Sequence, residues 1–333
     1  FIAGLALGLV VVLPLAAGIC GTILPALGWF PALGARDVSA APLQMFLATP
    51  GVAGAIMLSL STGLVATFLS FIASFILVVT LSSFAPMHRL RSIMGPLIAV
   101  PHSTIAIGIL FLLAPSGWLI RLVSPELTGF VRPPATGLLP DLEQHGLIIA
   151  LLAKEIPFLC LVSLAALSTQ PARQIIAIGR SLGYSKDAAM WLLVMPDIYR
   201  LIRLPLAAVL VFSVSVVDMS LVLGPGLPPP LAVMVVHGFE DPDLLARLPA
   251  SAGALLQGGL AVLALAIWRA GEVLISAILT GWRRRGHRTR LPSMARHILS
   301  GFAVLPILAG LLGLLASLLW SFTTSWFFPD ALP

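Results

Sequence analysis

Charge is scarce in this sequence. Only 10% of its 333 residues are Asp, Glu, Lys or Arg, against 59% apolar, and mean hydropathy reaches +1.07. A soluble domain carries about a quarter of its residues as charges. Soluble enzymes, secreted disulfide scaffolds and disordered regulators are therefore excluded, and a polytopic membrane protein remains. Cysteine is nearly absent too. Cys20 and Cys160 sit far apart in apolar runs, which excludes a disulfide framework or thiolate metal centre and leaves them as small hydrophobes buried in helices. Also missing are paired catalytic acids, a His-Glu-x-x-His metal motif, a Ser nucleophile elbow and an ATP-binding P-loop. No catalysis, metal or resident cofactor is expected of this chain. The net charge of +6 does not imply nucleic acid, because the basic residues lie between apolar runs, where topology explains them.

What is present is a series of apolar stretches. A hydrocarbon core of about 30 Å takes roughly 20 helical residues. Seven stretches qualify, near 1–26, 52–82, 93–114, 146–168, 202–223, 252–281 and 298–320. If the first enters from the cytoplasm, the inner segments hold Arg89, Arg91, Arg173, Arg180, Lys186, Arg200, Arg203, Arg283, Arg284, Arg285, Arg288, Arg290 and Arg296. The outer segments hold only Arg36, Arg121, Arg132 and Arg247. This bias orients the chain with the start of its first helix inside. Trp29, Trp118, Trp282 and Trp326 fall at or just beyond helix ends, as interfacial tryptophans do. The loops at 115–145 and 224–250 read as external segments stiffened by proline, whereas 169–201 inside reads as folded.

The last apolar run resembles the first. Leu13-Pro14-Leu15-Ala16-Ala17-Gly18 matches Leu305-Pro306-Ile307-Leu308-Ala309-Gly310, and Phe30-Pro31 matches Phe328-Pro329. The expected organisation is a six-helix unit over 1–282, a basic cytoplasmic linker over 283–297, and over 298–333 the first helix and start of the external loop of a second unit. The chain opens inside an apolar run without Met and is expected to be a piece of something longer.

The segment 170–200 carries the most specific pattern. Residues 173–182 can form a short helix, Gly183 can end it at positive φ, Ser185 can cap a second helix, and Pro196 suits the first turn of the next span. Gly183 is followed by nine residues and then Leu193-Val194-Met195-Pro196. This resembles the permease signature of bacterial ABC importers: Glu-Ala-Ala, three residues, Gly, nine residues, Ile-x-Leu-Pro. The leading triplet departs from it, reading Ala177-Ile178-Gly179. Pro96 to Pro101 with Ile105 to Gly108, and Asp218-Met-Ser220 to Gly224, are similar to stretches of the subfamily importing iron, thiamine, sulfate or molybdate.

The resemblance implies an all-α six-helix permease unit in the bacterial inner membrane. It implies a cytoplasmic coupling elbow formed by Ala177, Gly179, Ser181, Leu182, Gly183, Tyr184, Lys186 and Pro196. Implied partners are separate P-loop ATPase subunits, which would bind ATP and Mg, an external solute-binding protein, and a second permease unit, fused or homodimeric, all in or at the bilayer.

Ionisable groups within spans are functional candidates because hydrocarbon does not tolerate them unpaired. Asp218, with Ser220, reads either as part of the translocation pathway or as a carboxylate bonded to a neighbouring helix. His102 is a pathway candidate or, by preference, a satisfied interhelical histidine. Lys154 and Glu155 diverge by about 100° on a helix, and Pro157 frees a carbonyl that could serve one of them. Arg269 and Glu272 are spaced for a salt bridge. The competing reading is an ion-coupled secondary transporter using Glu155 and Asp218 beside a broken helix.

Overall fold

The computed structural model describes residues 2–81, 87–135, 142–284, 293–323 and 325–332. Every extended element among them is helical: α1 (Ile2–Ala26), α2 (Ala41–Ala48), α3 (Val52–Leu81), α4 (Met87–Ala99), α5 (His102–Leu113), α6 (Trp118–Leu122), α7 (Leu142–Ser168), α8 (Ala172–Ser181), α9 (Lys186–Ala189), α10 (Met195–Ser215), α11 (Asp218–Leu223), α12 (Leu231–Glu240), α13 (Arg247–Arg284) and α14 (Ser293–Ser321). Seven of these helices or helix runs are long and apolar enough to cross a membrane, as the sequence predicts. The protein is an all-α polytopic membrane protein.

At the centre, α3, α7 and α10 bury one another. Leu77, Val78, Ile156, Leu164, Val194, Ile198 and Ile202 form the largest core cluster, at 1% exposure or less. Such packing, rather than expulsion of water, is what holds helices together in lipid.

Two predicted continuous spans are broken. The third divides between α4 and α5. Pro101 has no N–H for the Leu97 carbonyl and drives Val100 out of helical geometry. The fifth ends at Ser215, bends through an extended Val216 (φ −64°, ψ 126°) and restarts as α11. Side chains satisfy the carbonyls at this bend: Ser215 Oγ donates to Val211 O (2.6 Å), Gln257 Nε2 to Val214 O (3.2 Å) and Ser220 Oγ to Val216 O (2.8 Å). Non-helical backbone survives at membrane depth only with such partners.

The two segments expected outside are more structured than proline content alone suggests, since 115–145 contains α6 and 224–250 contains α12. Cys160 is buried as expected, but Cys20 is exposed, because α1 packs mainly along α13 and leaves most of its surface open. The seventh span, α14, does not stand apart. It lies against α3, α5 and α7. Most of the predicted basic linker, residues 285–292, falls outside the described residues.

Candidate functional site

The segment between α7 and α10 is a closed helix–turn–helix elbow. Helix α8 ends when Gly183 takes φ +88°, a conformation that costs L-residues with a Cβ energy. Gly183 N–H donates to Arg180 O and Tyr184 N–H to Gly179 O, each at 3.0 Å, which together make a Schellman stop. Ser185 then caps α9, its Oγ accepting from the Ala188 N–H at 3.2 Å. A π-helical turn over Met190–Val194 leads into α10. Its cause lies two residues on: Pro196 cannot donate to the Leu192 carbonyl, and its ring crowds that carbonyl, so the coil widens.

Gly179 is buried at the inner corner of the elbow. A Cβ there would lie 2.8 Å from Ala189 Cβ and Leu193 Cδ1, so α8 can fold back this closely only on glycine. The departure from the Glu-Ala-Ala pattern thus has a packing reason at residue 179. Ala177, Ser181, Leu182, Gly183 and Lys186 are exposed, with Tyr184 and Pro196 half-buried. Ile178 and Leu182 present large apolar side chains, at 61% and 56% exposure, beside the exposed Arg173, Gln174 and Arg180.

The three pathway candidates separate. Asp218 begins α11 on its exposed face and makes no hydrogen bond or ion pair among the described residues. Ser220 turns inward, buried, and bonds Val216 O. His102 begins α5, with its Nε2 3.8 Å from Glu155 Oε1 and its ring centroid 4.7 Å from that of Phe212. Leu201 and Leu204 of α10 and Asp218 of α11 are all exposed.

Lys154 and Glu155 are both buried and both committed to the break at Pro101. Lys154 Nζ donates to the carbonyls of Leu97 (3.3 Å), Ile98 (2.8 Å) and Val100 (2.5 Å), the unpaired end of α4. An ammonium on a helix C-terminus also meets the negative end of the helix dipole. The partners therefore come from another helix and not from the carbonyl freed by Pro157. Arg269 pairs with Glu272 as predicted, and Glu272 also accepts from Tyr199 and lies 3.6 Å from Arg203 Nε.

Arg121 is the residue that sequence reasoning overlooked. Read as an external loop cation, it is 3% exposed. Its guanidinium donates to Ser116 O (2.8 Å), Phe327 O (2.7 Å) and Trp326 O (3.3 Å), and lies 5.2 to 5.6 Å from the rings of Trp320, Trp326 and Phe328. Trp118 Nε1 donates to Ala331 O at 3.1 Å. Trp118 therefore clasps the segment after α14, which itself contains Trp326. The only sequence signal was an arginine three residues after a tryptophan, with further aromatics near 326.

No family model matches the chain. Over 242 residues, 72% of its length, the chain is 28% identical to a protein of Escherichia coli (strain K12) named inner membrane ABC transporter permease protein YnjC. The match covers 44% of that relative, so the chain spans less than half of its length.

Proposed function

We propose that this chain is the membrane-spanning permease part of an ATP-driven importer of the bacterial inner membrane, with residue 1 beginning on the cytoplasmic side. It forms the solute path and is coupled to separate P-loop ATPase subunits through the elbow around Gly183. The observation that carries this reading is the elbow itself. A rigid stop at Gly183 presents Ile178 and Leu182 outward, while the other side of the same element continues without a flexible joint into α10. Force applied at the tip by a soluble partner reaches the α10–α11 bend and Asp218 just beyond it. The similarity to an ABC transporter permease supports the same reading.

Two arrangements support a second permease unit. Gly310 and Gly313 seat α14 against Ala153 and Gly108. In the repeat alignment these correspond to Gly18 and Gly21 of α1, both of which face open space. A second unit would cover α1 as this unit covers α14. An external binding protein would deliver solute to the mouth of the path.

The reading is tested by placing a photo-crosslinking amino acid at position 182 of the full-length protein in its native membrane. The crosslinked band should contain a P-loop ATPase. A band containing only lipid, or only the chain itself, would count against the elbow as the coupling site.

A further inference from the structure

A cavity of about 730 Å³ opens between α3, the start of α10 and the second half of α13. That volume lies within the range of about 300–1,000 Å³ typical of small-molecule sites. Its walls are apolar: Leu64, Phe68 and Phe75 on one side, Ile267 and Ile275 on the other, with Trp191 at the elbow end. Val65, Phe68 and Ile275 along these walls are 43%, 47% and 52% exposed. The groove is therefore open along membrane-spanning segments, where its surroundings are acyl chains.

One edge of this groove is charged. Arg200 and Arg203 line it, three apart and so on one face of α10. Their neighbours are Arg269, Asp197 and Glu272. Arg200 Nη1 lies 3.1 Å from Asp197 Oδ1, while Glu272 is shared between Arg203 and Arg269. Three guanidiniums thus face two carboxylates. The excess is one positive charge, on side chains still 48% to 71% exposed, with donors to spare. A cation at the edge of hydrocarbon calls for an anion.

We propose that this groove is a binding site for one anionic phospholipid of the leaflet on the elbow side. Its phosphodiester bridges Arg200 and Arg203, whose planar forks suit phosphate oxygens. An acyl chain runs past Phe68 toward Leu64. Because Trp191 and Pro196 form the groove's elbow end, the lipid contacts the segment through which the elbow joins α10. The site stands on the groove and its charges alone and is independent of the transport reading.

The test is native mass spectrometry of the full-length protein released from nanodiscs holding equal phosphatidylglycerol and phosphatidylcholine. The wild type should retain phosphatidylglycerol over phosphatidylcholine by about fivefold, from one excess positive charge near a headgroup. The pair Arg200→Gln and Arg203→Gln should bring the ratio close to parity. Gly271→Leu fills the apolar wall without altering a charged side chain, since a Cβ there meets no other element within 4 Å, and it should reduce retention of the lipid severalfold while leaving the fold intact. Parity in the wild type, an excess that survives both variants, or no retained lipid because a second unit or a second copy covers the groove would each overturn the proposal.

Discussion

Gly108 of α5 and Gly313 of α14 meet backbone to backbone. A Cβ on Gly313 would lie 2.5 Å from the Gly108 carbonyl carbon, and one on Gly108 would lie 2.7 Å from that of Gly313. The seventh span is thereby locked into the core of the preceding helices, an approach that small residues allow in membranes. Gly313→Leu should separate α14 from α5 and lower stability by about 1–3 kcal/mol. Gly301→Leu, where a Cβ meets nothing, serves as the control. Thermal unfolding followed by size-exclusion chromatography compares them, and equal midpoints would show that the close approach contributes nothing.

Arg121 holds residues 326–330 through carbonyls that accept from its fork. Arg121→Ala leaves the Trp326 carbonyl without a donor and takes one of two donors from the carbonyls of Phe327 and Asp330, at about 1–3 kcal/mol. Arg121→Lys keeps the charge but loses the planar fork and should restore little of it. A cysteine at Leu332 should react with a maleimide faster in both variants than in the parent. Unchanged labelling in Arg121→Ala would show that the clasp does not hold this segment.

Lys154 satisfies the end of α4 only because Pro101 breaks the third span. Lys154→Met should destabilise the protein by about 1–3 kcal/mol, since three part-buried carbonyls lose their donor. In a Pro101→Ala background, where the Leu97 carbonyl can regain a backbone donor, the same substitution should cost less. A double-mutant cycle measures this coupling, and strict additivity would contradict it.

Gly179→Ala should open the elbow without disturbing the spans, because the added Cβ collides with Ala189 and Leu193 outside the central core. The expected result is an unchanged unfolding midpoint with faster trypsin cleavage at Arg180. A fall in midpoint with no change at Arg180 would relocate the role of Gly179 to the core.

Much of the architecture is legible in the sequence, for a physical reason. In lipid every span must be helical and apolar, so the seven spans and the elbow's turn chemistry, Gly183 with Ser185, follow from composition and local rules. What was not legible depends on long-range partners. Pro101 marks a break, but nothing local shows that Lys154, more than fifty residues later, caps it. Val216 carries no breaker residue at all, and the bend there is held by Gln257, Ser215 and Ser220. Arg121 looked like a loop cation because its cage is assembled from residues some 200 positions away. Ser220, two residues after Asp218, is buried and bonds Val216 O, an orientation that follows from the α10–α11 bend.

The central claim is that the elbow couples this chain to an ATPase. Its most direct test is mass spectrometry of what co-purifies with the full-length protein from its native membrane in mild detergent, wild type against Gly183→Asp. The account predicts a P-loop ATPase with the wild type and its loss with the variant, while the spans remain folded. A wild-type preparation with no ATPase would contradict it and turn attention to ion coupling through Glu155 and Asp218.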